Sequence, residues 1–456
     1  MKTLAQIGAA LQGYDPQALR ADQVLAFLAE LVAPVTATRR LPLFDALGRV
    51  LAEDLISPLD VPAHDNSAMD GFAFDGSQLR AGLPLQFEVV GTALAGHAWS
   101  GQVQPGQALK IMTGAILPAG LDTVVPQEFV TPAASGNSGR ITVPAGLLQP
   151  GDNRRLRGED LAKGSRALSK GELLTPARMG LAASLGIETL LTLRPLRVAY
   201  FSTGDEVLSL GEAPREGAVY DSNRYTVFGL LTRMDCEVID LGVVRDEPAQ
   251  LKAAFMQAAG QADAIITSGG VSVGEADFTK AMMKELGDVA FWRVAMRPGR
   301  PMAVGRISKE KLASIPSNTG VNSSENHSGC SDRLDAEPRA AVLFGLPGNP
   351  VAVMVTFLAF VRPALLQMMG ARAAPPPLLK AFSDEAMRKK PGRTEYQRGW
   401  VSTAADGSLH VSTTGSQGSG VLRSMAEANG LILLHHDQGN VVAGDLVDVM
   451  MFDGVI

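Results

Sequence analysis

Between residues 195 and 372, short apolar runs alternate with longer stretches in which apolar residues recur at helical spacing. RVAYFS, EVIDLGVV, DAIITSGG, DVAFWRVA and AAVLFGLPG are near-continuous apolar runs, the pattern of strands buried on both faces. SNRYTVFGLLTRM, PAQLKAAFMQAAG, FTKAMMKEL and the run after Pro350 read as helices. This alternation predicts a parallel sheet with helices on both faces. Ligands of such sheets sit at the carboxyl ends of the strands.

The flanking regions have other textures. Residues 22–52 read as helical, with Val24, Leu25, Leu28, Leu31 and Val32 on one face and Pro34 ending the first piece. From about 60 to 150, short β-favouring runs (LQFEVV, ALKIM, DTVVPQEF, RITV) are broken by Gly and Pro. Residues 151–190 return to helix, most clearly in ARMGLAASLGI. Beyond Pro375-Pro376-Pro377, short strand-like runs with Gly turns predict a small β-barrel or sandwich. The expected organisation is a helical N-terminal domain (1–58 and 151–190), a β-rich insertion (59–150), an α/β domain (191–374) and a C-terminal barrel (375–456).

Two segments test that outline. VAVMVTFLAFV after Pro350 stops at Arg362-Pro363, short of the roughly 18 apolar residues a spanning helix needs, so a buried helix is expected. Residues 308–340 are polar, rich in Ser and Asn, and read as a surface loop between two strands. His327 and Cys330 in that loop are two candidate ligands, too few for a metal site.

Composition removes several classes of function. The 456 residues are 46 % hydrophobic and 19 % charged, ordinary globular material. A net charge of −6 argues against a general nucleic-acid binder. It leaves small anions open, because local basic residues decide those. Two cysteines, Cys236 and Cys330, make no disulfide framework and fit a reducing compartment. The N-terminus carries no secretion-signal pattern. A soluble cytoplasmic protein that binds neither nucleic acid nor membrane is expected.

The chemistry concentrates at predicted strand ends. In TSGGVSVGEADF, Ser268, Gly269, Gly270, Ser272 and Gly274 form a bare-backbone turn before a helix. Free N–H groups and a helix N-terminus favour a phosphate-like anion. Glu275 and Asp277 beside it are hard oxygen donors of the type that links Mg²⁺ to phosphate. Capping of the helix by these acids is the other reading, and both stand. STGDE repeats the logic with Thr203, Gly204, Asp205 and Glu206. GLPGNP sets Pro347, Gly348, Asn349 and Pro350 at a third strand-to-helix turn. RVAMRPGRP brings Arg293, Arg297 and Arg300, whose forks suit oxyanions. Outside this region lie Asp65, Asn66, Ser67 and Asp70 in HDNSAMDGFA and Thr113 in IMTGAILP.

DNSAMDGFA, IMTGA, RRLRGED, STGDE, YDSNR, SGGVSVGEAD, RPGRP and GLPGNP occur in one order along nearly the whole chain. In this the chain resembles the molybdopterin molybdenumtransferases of the MoeA and gephyrin E-domain type. The resemblance implies a multidomain architecture: a MogA-like α/β domain, an elongated helical and β N-terminal part, and a C-terminal β-barrel. It also implies a homodimer, possible contact with the adenylyltransferase of the same pathway, and insertion of molybdenum from molybdate into adenylylated molybdopterin, with Mg²⁺ present and AMP released. Residue by residue, it carries catalytic roles to Asp65, Thr113, Glu206, Asp246 and Asp277, with Glu206 and Asp277 as metal ligands and Asp65 and Thr113 reaching the partner's site. Substrate contacts fall to Ser67, to the residues named in the three turns other than their acids Asp205, Glu206, Glu275 and Asp277, and to the arginines of RVAMRPGRP. Arg398 in YQRGW and Ser419 in SQGSG match positions that hold molybdate. The family often has lysines where this chain has Arg293 and Arg297, and the polar segment 308–340 is longer than the resemblance leads one to expect.

Two rival functions remain at this level. An adenylyltransferase making the adenylylated pterin shares the α/β type of fold, and the additional domains count against it. A non-catalytic scaffold is disfavoured by retention of Glu206, Asp246 and Asp277.

Overall fold

The apolar runs of the 195–372 region assemble into one six-stranded sheet. The computed structural model describes residues 2–132, 139–270, 277–308, 340–372 and 374–455, with backbone alone at 132 and 277–281. The strands are β1 (Arg197–Thr203), β2 (Glu237–Val244), β3 (Ala264–Ser268), β4 (Gly287–Arg293), β5 (Pro301–Ser308) and β6 (Ala340–Leu346), in the order β2-β1-β3-β6-β5-β4. The first four in that order are parallel. β5 runs antiparallel to both of its neighbours, β6 and β4. The link from Arg293 to Pro301 is too short for the crossover of a dozen or more residues that a parallel connection needs. A hairpin is therefore the available geometry at that edge.

Side chains alternate between two cores. Val198, Tyr200, Ile266 and Phe344 face one side with α1 (Ser222–Arg233). Ala199, Phe201, Ile265 and Leu343 face the other with α2 (Pro248–Gln261) and α3 (Asp277–Leu286). Both faces of the sheet are thus covered, which explains the near-continuous apolar runs.

Helix α4 (Pro350–Met368) runs on through Arg362-Pro363, where the sequence pattern stops it. Proline lacks an N–H and its ring collides with the carbonyl four residues back. Here a π turn at Phe357–Val361 opens the ladder: the Arg362 N–H reaches back to Phe357 O. Among the described residues α4 is the one helix long and apolar enough to cross a membrane, yet 67 % of its apolar window lies inside the protein. Val351, Val355 and Phe360 are fully buried, so it is a core helix.

After α4, strands β7 (Leu379–Ser383), β8 (Thr394–Thr403), β9 (Leu409–Thr413), β10 (Gly430–Leu434) and β11 (Leu446–Met451) close a five-stranded barrel. β8 pairs with both β9 and β10, β10 with β11, β11 with β7, and β7 with β9. Val411, Ile432, Leu434 and Val449 fill it. Met296–Arg297, in the β4–β5 link, adds a short parallel strand to β8.

By compactness the chain forms two units. One holds residues 1–52, 171–175 and 190–456, and the other 53–170 and 176–189. In the first, the N-terminal helix stops at Leu31. A strand follows at Thr38–Pro42, where the sequence pattern suggests more helix. In the second, Thr123–Pro126, Gly71–Phe74, Gln107–Ile111, Leu85–Ala93, Arg140–Val143 and Thr131–Pro132 form a six-stranded sheet. Helix in the 151–190 stretch is confined to Pro176–Ser184. Gly151, Gly158 and Gly164 have φ of 93°, 71° and 84°, left-handed turns that keep the charged run before it from winding up.

The polar segment inferred from sequence lies outside the described residues from 309 to 339. Its ends are defined: Ser308 and Ala340 are directly paired across β5 and β6. A two-residue turn such as Asn-Gly would join them in register. Replacing residues 309–339 with that turn is expected to leave the melting temperature within about 4 °C, a shift equivalent to roughly 1 kcal/mol or less. Insoluble or monomer-aggregating protein would contradict a dispensable loop.

Candidate functional site at the sheet edge

Strand register brings the predicted turns to one edge. Thr203 pairs with Val244, Ser202 with Ser268, and Ser268 with Leu346, so three glycine turns leave the sheet side by side. The β4–β5 link joins them, because Arg293 opposes Pro301 and Ala303 opposes Gly345.

The STGDE turn is held by its own side chains. Thr203 Oγ1 donates to the Asp246 carboxylate. The Asp205 carboxylate accepts from the Asp246 N–H at 3.3 Å, and its carbonyl accepts from Arg245 at 3.1 Å and from Arg215. Asp205, set beside Glu206 as a hard oxygen donor in the sequence, is thus engaged in holding the turn. Glu206 is exposed and folds back over Gly204, where a Cβ would lie 2.6 Å from Glu206 Oε2. Among the described residues nothing hydrogen-bonds or pairs with the Glu206 carboxylate.

The SGG turn presses onto its neighbour. Gly269 has φ 93°, and a Cβ there would sit 2.3 Å from Thr203 O. Only glycine permits this approach. The Ser268 hydroxyl points inward: it is 2 % exposed and lies 2.7 Å from Tyr200 OH. Asp277 begins α3. Ser272, Gly274 and Glu275 lie outside the described residues.

In the GLPGNP turn Pro347 is buried, while Gly348 and Asn349 are exposed and Pro350 half-buried. Asn349 stands at the N-cap of α4 but makes no side-chain cap bond. Its amide instead donates to Ser419 Oγ at 3.1 Å, and the Val351 N–H donates to Ser419 O at 3.1 Å. A barrel loop thus caps the helix and brings Ser419 to the edge. Asn223, in the first turn of α1, donates to Gly348 O at 2.7 Å. YDSNR contains this residue, and its spacing gave no hint of the contact.

Positive charge at this edge is left unneutralised. Arg297 and Arg300 are exposed and Arg293 is half-buried, and none has an ion pair among the described residues. Arg398 of β8 is only 1 % exposed. It donates to Ser424 Oγ and to the carbonyls of Ser416 and Gly418, each at 3.0 Å. Burial, and then the charge of Arg297, pull its pKa down to about 10. A cavity of about 260 Å³ lies against Arg297, Arg388, Arg398, Gln417, Glu385 and Glu395. Arg393 engages Glu395 at 2.7 Å. The cavity therefore favours an anion.

The second unit gathers three other motifs. Asp70 accepts from both the N–H and the hydroxyl of Thr113 at 2.7 Å, and these bonds hold its carboxyl below the usual range. Asp65 accepts from the Arg157 N–H at 2.7 Å and lies 3.8 Å from Arg154. Ser67 is buried, its hydroxyl donating to Met69 O at 2.6 Å. DNSAMDG, MTGA and RRLRGED are thereby one cluster, with Asp65 and Thr113 half-buried and exposed respectively.

Mg²⁺ fits the donor chemistry of the sheet edge. Glu206 is an unengaged carboxylate next in the chain to Asp205, whose carboxylate holds the Asp246 N–H. Among the described residues no three His, Cys, Asp or Glu side chains converge on a point. An ion that takes one or two carboxylates and completes its shell with phosphate and water needs no more. Cys236, between α1 and β2, is driven up to about 12 by burial and is no thiolate ligand.

Fold and site together define an α/β protein with a cationic sheet edge flanked by a barrel. Comparison with known proteins gives that class a family. The model of the MoeA N-terminal region (domain I and II) matches residues 19–186, that of a probable molybdopterin binding domain 199–367, and that of the MoeA C-terminal region (domain IV) 380–452. The chain is 39 % identical over 439 residues to a molybdopterin molybdenumtransferase of Haemophilus influenzae, covering 96 % of this chain and all of that one. It is 34 % identical over 410 residues to one from Nostoc, covering 87 % and 85 %. A MoeA structure from Pyrococcus horikoshii OT3 superimposes with a TM-score of 0.74 at 25 % identity, covering 95 % of this chain and all of the other. The chain belongs to the MoeA family of molybdopterin molybdenumtransferases.

Proposed function

We propose that the chain inserts molybdenum from molybdate into adenylylated molybdopterin in a Mg²⁺-dependent reaction that releases AMP. By family it is a transferase of molybdenum cofactor biosynthesis. The observation that carries the finer reading is the unneutralised charge of Arg297, Arg300 and Arg398 beside three glycine turns and a free carboxylate. Backbone N–H groups of the Gly204, Gly269 and Gly348 turns receive phosphate oxygens. Arg297 and Arg398 receive molybdate, with Ser419 at the same edge. Arg293, like Arg297, presents a fork, which suits an oxyanion better than a point charge does. Glu206 and Asp277 would hold Mg²⁺, which when bound offsets negative charge on the phosphoanhydride and the departing AMP. No protein nucleophile is required.

The reading extends to a cytoplasmic homodimer supplied by the pathway's adenylyltransferase. Asp65 and Thr113 then serve the site of the partner subunit, and a two-fold dimer holds two such sites. Mixing an Asp65→Ala chain with a Glu206→Ala chain is expected to restore activity, because a mixed dimer contains one undamaged site. Confirmed mixed dimers no more active than either parent would reject the sharing.

The direct test is incubation with adenylylated molybdopterin, Mg²⁺ and molybdate while AMP is measured. Pyrophosphate release from ATP and free molybdopterin, without molybdate-dependent AMP, would favour the adenylyltransferase instead.

A further inference from the structure

Three hydroxyls close a ring beneath the two glycine turns. Tyr200 OH lies 2.8 Å from Ser202 Oγ and 2.7 Å from Ser268 Oγ, and the two serines are 3.2 Å apart. All three residues are 2 % exposed or less. Each hydroxyl has one proton to give, so a closed ring satisfies every donor. Such a ring, buried in low dielectric, holds its members more firmly than separate pairs would.

The ring sits where position matters. Ser202 and Ser268 are register partners on β1 and β3, the last rung of the ladder between these two strands. One residue beyond Ser202 is Thr203, whose hydroxyl holds Asp246. One residue beyond Ser268 is Gly269, which lies against Thr203 O and donates to Leu346 O at 3.2 Å. A shift of either serine is passed along the chain to Thr203, which holds Asp246, and to the backbone of the SGG turn. Tyr200 is in none of the chemistry-bearing motifs and reads from sequence as an ordinary core aromatic. Burial, the largest influence, raises its phenol above the usual range, so it acts as a neutral hydrogen-bonding group.

We propose that Tyr200 is a positioning residue: its hydroxyl, through Ser202 and Ser268, sets the spacing of the STGDE and SGG turns for the reaction. This rests on the function proposed above. The test is Tyr200→Phe, which removes one oxygen and keeps the ring in the core, together with Ser202→Ala and the double variant.

For Tyr200→Phe, kcat for AMP release should fall about tenfold with KM within twofold, since misplacement affects the reacting geometry more than uptake. Amide exchange at residues 203–206 and 269–270 should accelerate by a similar factor, while β1 and β3 interiors exchange as in wild type. The double variant should be little worse than either single one, as members of one network are non-additive. Loop exchange at the wild-type rate, kcat within twofold of wild type, or additive effects in the cycle would each overturn the proposal. If the unaltered protein releases no AMP, the proposed function fails on its own, and the exchange and its cycle alone decide the ring.

Discussion

Arg398→Ala is expected to cost about 3 kcal/mol of stability and to raise the KM for molybdate at least tenfold. The guanidinium is fully enclosed and makes three hydrogen bonds, two of them to carbonyls of the Ser416–Gly418 loop. Bonds from a charged donor contribute about 1.5–3 kcal/mol, and truncation takes this donor from the Ser416 and Gly418 carbonyls and from Ser424 Oγ. The same loop carries Ser419, which caps α4 and contacts Asn349. Its release would loosen the barrel side of the sheet edge. Arg398→Lys keeps a charge but not the fork, so it should recover only a minor part of both losses. Thermal unfolding and AMP release at varied molybdate separate the two effects. An alanine variant with wild-type stability and wild-type KM would mean that the buried arginine performs neither task.

How much of this could be read from the chain depends on what kind of contact is involved. The α/β region was legible because strands covered on both faces must be apolar throughout, and β1, β3 and β6 are. Its antiparallel edge was legible in principle from the short link between Arg293 and Pro301, although alternation alone suggested a parallel sheet throughout. The charged stretch before Pro176 resembles an exposed helix in composition, and only the positive φ of Gly151, Gly158 and Gly164 shows why it turns instead. The π turn that carries α4 past Pro363 has no one-dimensional signal.

The site divides in the same way. Glycine turns at strand ends announce themselves, and STGDE, SGG and GLPGNP do meet at one edge. Direction is not announced. Ser268 and Ser67 looked like ligand contacts, but their hydroxyls turn inward to Tyr200 and to the Met69 carbonyl. Asn223, which reaches Gly348, joins residues more than a hundred positions apart. No spacing rule finds such a pair. Arg398 and Ser419 entered through family likeness, and the reason for an arginine at 398 appears only once the barrel closes around it.

Glu206→Gln should abolish most molybdenum insertion while leaving the fold untouched. A carboxylate that does structural work is bonded: Asp70 holds Thr113, Asp246 accepts from Thr203, and Asp263 binds Arg194 at 2.7 Å. Glu206 does none of this among the described residues, yet it is folded over Gly204 at the mouth of the sheet edge. An exposed side chain without partners adds little to stability, so the melting temperature should stay within about 1 °C. A neutral amide is a weaker ligand for a hard dication than a carboxylate. At limiting Mg²⁺ the loss in kcat/KM should be about a hundredfold, or some 2.7 kcal/mol of transition-state stabilisation. Raising Mg²⁺ should recover part of it, because weaker ligation is offset by mass action. Purely electrostatic repulsion of the anionic substrate by Glu206 predicts the opposite sign: removing the charge would lower KM and preserve kcat. Measuring AMP release across a Mg²⁺ titration distinguishes the two, and a variant as fast as wild type at limiting Mg²⁺ would remove Glu206 from the metal site.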